Sequence, residues 1–122
     1  MIRGIGLDIV ETARIRKLYE RKPAFARRIL TSSELDRFET LTSARRIEYL
    51  AGRFAAKEAL AKALGCGIGK DLSFQDAEIL SDERGKPSVY LTRHGMKTEG
   101  MLHVSITHTG TAAAAQVIWE TE

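Results

Sequence analysis

The chain has 122 residues, 43% hydrophobic and 29% charged with a net charge of +3, which is typical of one globular domain spanning residues 1–122. No apolar run approaches the roughly 20 residues that span a bilayer, and the N-terminus lacks the layout of a signal peptide, so no membrane partner is expected. A single cysteine, Cys66, excludes an intrachain disulfide framework and a cysteine-based zinc site, and favours a cytoplasmic protein.

The chain begins with a predicted strand and a basic helix. Alternating apolar residues predict the strand over residues 1–10, and helical spacing follows over residues 11–20. Residues 1–28 contain eight arginines and lysines against three acidic residues. Such a bias suggests an acidic partner, which could be nucleic acid, phosphate groups or an acidic protein. A solvated basic helix face explains the bias equally well.

The rest of the chain mixes helices and strands. Three further helices are predicted over residues 23–30, 35–41 and 44–64. Strands are then predicted over residues 74–80, 88–92, 101–108 and 112–119, with a short helix over residues 93–99. The last two strands form a hairpin. Because there is no regular βαβ alternation, the predicted fold class is α+β.

Glu58 fits the pattern of the long helix least well. On a helical wheel Glu58 falls between Ala51 and Phe54, in the middle of an apolar face, with Lys57 and Lys62 at its edges. A buried carboxylate needs a cation, a metal or a raised pKa. An ordinary surface pair with Lys62, four residues on, explains the spacing but not the position on the apolar face.

Asp8 raises the same question in the first strand. Its face otherwise holds Gly4, Gly6 and Val10, and the glycines would let another chain or a ligand approach closely. An aspartate at the strand end that caps the next helix is the alternative. Two acids that each need a cation, with lysines beside them, suggest a Mg²⁺ site for phosphoryl transfer.

The stretch HVSITH offers further polar groups. His103, Ser105 and Thr107 share one face of the predicted strand and could contact a phosphate, although an ordinary strand edge explains them equally well. His108 points the other way, so a two-histidine metal site is not expected.

Three motifs make the sequence resemble the short bacterial type of 4′-phosphopantetheinyl transferase, the holo-acyl-carrier-protein synthase family. They are GIGLDIVE with RI soon after (residues 4–15), RFAAKEALAKALGCGI (residues 53–68) and HVSITH (residues 103–108). The resemblance covers essentially the whole chain. It implies that family's fold, a single α+β domain with a mostly antiparallel sheet packed against a long helix.

The resemblance also implies a reaction. The serine hydroxyl of an apo acyl carrier protein attacks the β-phosphate of coenzyme A, 4′-phosphopantetheine moves to the serine, and adenosine 3′,5′-bisphosphate leaves. The product is a holo carrier for fatty acid biosynthesis. By motif position, Asp8 and Glu58 bind Mg²⁺ and Lys62 contacts the phosphates, which makes these three the catalytic set. The base that deprotonates the serine stays open between Glu58 and a metal-bound water.

Further roles follow from the resemblance alone. The family is usually a homotrimer with active sites between subunits. The positions expected to contact coenzyme A are Arg53, Lys57, Lys62, Gly85, Lys86, Pro87, His103, Ser105 and Thr107.

The basic start of the chain then acquires a partner. Acyl carrier proteins are strongly acidic, and the expected docking residues are Arg14, Lys17, Arg21 and Arg28. A nucleic-acid-binding protein would leave Asp8 and Glu58 unexplained, and no aromatic platform accompanies the basic residues, so no nucleic acid is expected. A metal-dependent phosphohydrolase would explain the acids but not the basic helix.

Overall fold

The long helix near the middle of the chain is the element on which the others pack. The computed structural model describes residues 1–92 and 99–122, so the short helix predicted over residues 93–99 lies outside the described residues except at its last position. The helices and strands, in chain order, are β1 (Ile2–Glu11), α1 (Thr12–Arg21), α2 (Ala24–Ile29), α3 (Ser32–Glu39), α4 (Ser43–Leu64), β2 (Ala77–Ser81), β3 (Pro87–Leu91), β4 (Met101–His108) and β5 (Ala112–Glu120). In the part of the chain that the structure describes, no helix has the length and apolar character needed to cross a membrane.

The strands of the described residues form two antiparallel sheets. β1, β5 and β4 make a three-stranded sheet in that order, and β2 pairs with β3 in a separate hairpin. β2 begins later than the predicted strand over residues 74–80. A 3-10 turn occupies Phe74–Asp76 because the backbone N–H of Ser73 donates to the Asp76 carboxylate and Ser73 caps the turn in return.

Two glycines let α4 lie directly on β1. A Cβ added at Gly4 would lie 1.9 Å from the Ala63 carbonyl oxygen, and one added at Gly6 would lie 1.7 Å from the Ala59 carbonyl oxygen. Only a residue without a side chain fits at either position. The close approach predicted for this face is therefore made by the protein's own helix. It also brings Asp8, the next residue on that face, against α4.

Helix α4 is enclosed on nearly every side, which corrects the helical-wheel interpretation. Its buried positions surround the axis, whereas Phe54 and Glu58 are half-buried and Lys62 is exposed along one line at four-residue spacing. Glu58 therefore lies on the open line of the helix rather than in the middle of its buried face. The helical wheel was misleading because small residues such as alanine pack against any neighbour and do not mark a single buried face.

Lys57 is the most deeply buried charged residue of α4. Its side chain and that of Glu34 on α3 are fully buried, with 2.6 Å between the Lys57 Nζ and a Glu34 carboxylate oxygen. Lys57 also donates to the carbonyl oxygens of Ile29, at 2.7 Å, and Phe74, at 3.0 Å. Burial lowers the pKa of Lys57, and the charge of Glu34 opposes that effect. The Lys57 ammonium therefore ties α4 to α3, to the end of α2 and to the turn before β2.

Candidate active site

Asp8 and Lys62 meet where β1 crosses α4. The Lys62 ammonium donates to an Asp8 carboxylate oxygen at 3.2 Å and to the Leu7 carbonyl oxygen at 3.0 Å. The Asp8 side chain is 18% exposed and that of Lys62 is 52% exposed. A ligand from solvent can therefore reach both charged groups. A surface ion pair of this kind is weak, so a ligand can replace one of its partners.

Glu58 lies one helical turn before Lys62 on the same line of α4. Burial raises the pKa of Glu58 above its ordinary value, the negative charge of Asp8 raises it further, and the positive charges of Lys62 and Arg14 oppose the increase. The effect of the Asp8 charge on Glu58 is the repulsion expected between two neighbouring carboxylates. A cation between them would relieve this repulsion.

The donor set fits a hard divalent cation such as Mg²⁺. Such an ion takes oxygen ligands, binds one or two carboxylates, and fills its remaining positions with water and substrate phosphates. Asp8 and Glu58 would supply the two carboxylates of such a site. Within residues 1–92 and 99–122, no group of three or more histidine, cysteine, aspartate or glutamate side chains is gathered for a metal. The remaining ligands of an ion here would therefore come from water and substrate.

An aromatic cluster borders this acid pair. Phe54, one turn before Glu58, stacks on Phe74 with ring centroids 5.4 Å apart and lies 6.3 Å from the ring of Phe25. The Arg14 guanidinium carbon lies 5.8 Å from the centroid of the Phe54 ring. Phe25 and Phe74 could not be predicted beside the acid pair, because no local sequence pattern connects them to residues of α4.

Lys57, a predicted coenzyme A contact, has other partners in the structure. The three acceptors around its buried ammonium occupy its three donors, so Lys57 links α4 to its neighbours, and its contact with coenzyme A stays a prediction. The position of Lys57 beside Glu58 in the motif did not predict its burial, because neighbouring residues of a helix point in directions about 100° apart.

Arg53 is also mostly buried. Its guanidinium donates to the Ile79 carbonyl at 3.2 Å and to the Ser81 hydroxyl at 3.1 Å, and it lies 4.2 Å from the centroid of the Tyr49 ring. Burial lowers the pKa of Arg53. The side chain also borders a surface pocket of about 180 Å³ that His108 lines. Its contact with coenzyme A stays a prediction.

The turn between β2 and β3 contains Gly85, Lys86 and Pro87. Gly85 has φ of +83°, which favours glycine, and the Asp82 carboxylate accepts a hydrogen bond from the backbone N–H of Lys86 at 2.9 Å. This turn belongs to the second sheet, and a nucleotide contact there stays a prediction.

The polar row of β4, which consists of His103, Ser105 and Thr107, faces away from the acid pair. Each residue of the row pairs with a residue of β5, and that β5 residue pairs on its other side with an exposed aliphatic residue of β1. Directly paired residues lie on the same face of a sheet, so the row shares its face with these aliphatic residues. Asp8 alternates with those β1 residues and points to the α4 side. One chain therefore does not bring the row to Asp8. All three residues of the row are exposed.

The predicted docking residues share one surface. Arg14, Lys17 and Arg21 are exposed at helical spacing on α1, and Arg28 follows at the end of α2. Leu18 and Phe25, which were not among the predicted site residues, supply apolar surface to a cavity of about 560 Å³ that Arg21 and Arg28 also line. The surface thus combines positive charge with an apolar centre.

These features define the class of the protein. The family model of the 4′-phosphopantetheinyl transferase superfamily matches residues 4–117, and the chain belongs to this superfamily. Holo-[acyl-carrier-protein] synthase from Bacillus subtilis is 55% identical over 120 residues, covering 98% of this chain and 97% of the relative. The synthase of Geobacillus kaustophilus is 58% identical over 120 residues, covering 98% of this chain and 90% of the relative.

Solved structures confirm the predicted fold. The crystal structure of a holo-(acyl-carrier-protein) synthase from Bacillus anthracis, in complex with CoA (3′,5′-ADP), matches with a TM-score of 0.90 at 46% identity. The match covers 100% of this chain and 99% of that chain. The Helicobacter pylori synthase in complex with coenzyme A matches with a TM-score of 0.84 at 38% identity, over 95% of this chain and 99% of that one. The α+β fold and the resemblance stated from the motifs are both confirmed.

Proposed function

We propose that this chain transfers 4′-phosphopantetheine from coenzyme A to a serine of an apo acyl carrier protein, releasing adenosine 3′,5′-bisphosphate. The observation that carries the proposal is the pair of carboxylates, Asp8 and Glu58, with Lys62 beside them on a partly open surface. Similarity to holo-acyl-carrier-protein synthases over nearly the full length of both chains supports the same activity. The holo carrier produced serves fatty acid biosynthesis.

Asp8 and Glu58 are the proposed Mg²⁺ ligands. When bound, the ion supplies positive charge to the pyrophosphate of coenzyme A. When coenzyme A binds, the Lys62 ammonium leaves the Asp8 carboxylate and binds a phosphate oxygen instead. The exposed ammonium can do so because one ion pair and one carbonyl oxygen hold it at Asp8. Both effects neutralise charge in a reaction where positioning and electrostatics dominate.

The transfer exchanges the phosphoanhydride bond of coenzyme A for a phosphoester bond to the carrier. The serine hydroxyl oxygen of the carrier forms a bond to the β-phosphorus of coenzyme A, and the bond from that phosphorus to the leaving nucleotide breaks. The hydroxyl proton passes to a base. Glu58 is one candidate for this base, and a water molecule at the cation site is the other.

The proposed assembly is a homotrimer with active sites between subunits. One outer face of the three-stranded sheet exposes Ile5, Leu7 and Ile9, which are 59%, 62% and 71% exposed. An aliphatic row of this size at the surface is typical of a protein interface. The polar row of β4 lies on this same face, so a second copy could supply His103, Ser105 and Thr107 to a site that one chain leaves incomplete.

The carrier is proposed to dock on the basic surface of α1 and α2. Positive charge there complements an acidic partner and speeds association, while the apolar centre supplies buried contact area. This surface lies beside Phe54 and Glu58, because Arg14 and Phe25 contact Phe54. A carrier bound here would place its serine near the acid pair.

The test is a mass measurement on an apo acyl carrier protein after incubation with coenzyme A, Mg²⁺ and the purified protein. The carrier should gain the mass of one phosphopantetheine group. Hydrolysis of coenzyme A without any gain in carrier mass would instead assign a phosphohydrolase. The cytoplasmic location and the extent of the domain over residues 1–122 stay predictions, which cell fractionation and limited proteolysis would check.

A further inference from the structure

Arg14 lies between the docking surface and the acid pair. Its guanidinium carbon is 5.8 Å from the centroid of the Phe54 ring, a geometry in which a cation is attracted to an aromatic face. Phe54 is itself held by Phe74 and Phe25, whose ring centroids lie 5.4 Å and 6.3 Å away. The aromatic cluster therefore gives the guanidinium of an otherwise exposed arginine a defined place.

That place is close to Glu58, which follows Phe54 by one turn of α4. The positive charge of Arg14 opposes the raised pKa of Glu58, which means that the two groups interact electrostatically. Arg21 shares the docking surface but lies two helical turns further along α1, where it lines the cavity with Leu18 and Phe25. Arg14 thus differs from Arg21, because it lies over the ring of Phe54, one turn of α4 before Glu58.

We propose that Arg14 is a positioning residue that couples carrier docking to the divalent cation site. The inference rests on the proposed metal ligands and docking surface, and it adds that carrier binding and cation binding strengthen each other. Without the carrier, the guanidinium repels a cation held by Asp8 and Glu58. A carrier carboxylate that engages Arg14 neutralises this charge, so the cation is held more tightly when the serine is in place. By thermodynamic linkage, the cation tightens carrier binding by the same factor.

The first experiment measures Mn²⁺ binding without the carrier, from the electron paramagnetic resonance signal of the free ion. Arg14→Gln should lower the Mn²⁺ Kd by about 3–10-fold, the size expected for one unit charge acting on a divalent ion across several ångströms of partly solvated surface. Arg14→Lys should keep the wild-type Kd. Arg21→Gln is the matched control, because it removes an equal charge from the same helix, and its Kd should be unchanged.

The second experiment repeats the titration with a saturating apo carrier whose acceptor serine is replaced by alanine, which prevents turnover. The carrier should lower the Mn²⁺ Kd of the wild type by about 3–10-fold. Arg14→Gln should abolish this effect, whereas Arg21→Gln should weaken carrier binding but keep the effect at saturation. A residue that serves docking alone would change the carrier Kd and leave the Mn²⁺ Kd untouched.

Equal Mn²⁺ Kd values for the wild type and Arg14→Gln would overturn the inference. So would a carrier effect of the same size in both proteins. Asp8→Asn should remove Mn²⁺ binding and serves to assign the site. A wild type that binds no Mn²⁺ would overturn the metal proposal together with this inference, and the carrier mass measurement would still decide the transferase activity separately.

Discussion

Three charged side chains of α4 lie within six residues and have three different environments. Lys57 is fully buried against Glu34, Glu58 is half-buried beside Asp8, and Lys62 is exposed. The first contributes to stability, because its charge is compensated and its donors are used. Glu58 and Lys62 are accessible, and they lie where the carboxylates of Asp8 and Glu58 repel each other. This arrangement is typical of a site that binds a cationic ligand.

Removing Lys57 should destabilise the protein strongly. Lys57→Ala leaves the Glu34 carboxylate buried without a counter-charge, and the free energy of unfolding should fall by about 3–5 kcal/mol. Lys62→Ala, which breaks an exposed pair, should change it by less than about 1 kcal/mol. Urea denaturation compares the two variants. Equal stability of both would contradict the structural role assigned to Lys57.

Replacing Glu58 should separate stability from activity. Folding raises the pKa of Glu58 above its ordinary value of 4.5, so the folded protein holds this proton more tightly than the unfolded chain. The contribution of Glu58 to the free energy of unfolding therefore falls as pH rises from below the ordinary pKa to above the folded one. In the presence of EDTA, Glu58→Gln should raise the Tm at about pH 7 and leave it unchanged at about pH 3, where the carboxyl is neutral in both states.

The same variant should lose phosphopantetheine transfer, because it removes a proposed metal ligand. Glu83→Gln, in the exposed turn after β2, is the control for both measurements. A Glu58→Gln protein with a lower Tm at neutral pH would show that Glu58 stabilises the fold, contrary to the repulsion described for this site.

At the scale of elements, the contact of β1 with α4 sets the geometry of the site. The two glycines of β1 bring the helix backbone against the strand, and the same contact places Asp8 within reach of Lys62. The alanines of β5 that face α4, Ala113 and Ala115, are buried and keep the helix close to the neighbouring strand as well.

Gly6→Ala tests this contact. The added Cβ would meet the Ala59 carbonyl oxygen at 1.7 Å, so strand and helix must separate. We expect a loss of about 1–3 kcal/mol in the free energy of unfolding, together with reduced transfer because Asp8 moves with the strand. Gly110→Ala is the control, since nothing lies within 4 Å of a Cβ there. Similar effects of the two substitutions in urea denaturation and in the transfer assay would contradict the account.

Most elements could be predicted from the sequence, and the reasons for the failures are physical. Periodicity and caps gave β1, the four helices and the closing hairpin to within a few residues. The burial of Lys57 could not be read locally, because its partner Glu34 lies 23 residues away and only folding brings them together. The surroundings of Glu58 were misjudged since an alanine-rich helix that is buried on nearly all sides has no single apolar face.

At the scale of the whole molecule, the outer face of the three-stranded sheet has no partner within the described chain. Its aliphatic row on β1 and its polar row on β4 lie side by side, and the polar row holds residues expected to contact coenzyme A. A homotrimer built on this face would cover the aliphatic row. It would also explain why one chain separates groups that the reaction needs together.

Ile5→Lys tests the assembly. Ile5 is 59% exposed in the single chain, so a lysine there should be tolerated by the fold but should oppose packing of the face against another copy. Light scattering should find a trimer for the wild type and a smaller species for the variant, with transfer reduced in parallel. Tyr90→Lys, at an exposed position of β3, should keep the trimer. A monomeric and active wild type would contradict the assembly.

The central claim is that transfer takes place at the carboxylate pair where β1 meets α4. The most direct measurement is the mass of an apo acyl carrier protein after incubation with coenzyme A and Mg²⁺, with wild type compared with Asp8→Asn. The carrier should gain one phosphopantetheine group with the wild type and none with Asp8→Asn, and EDTA should stop the wild type. Transfer at the wild-type rate by Asp8→Asn, or by the wild type in EDTA, would contradict this assignment of the site.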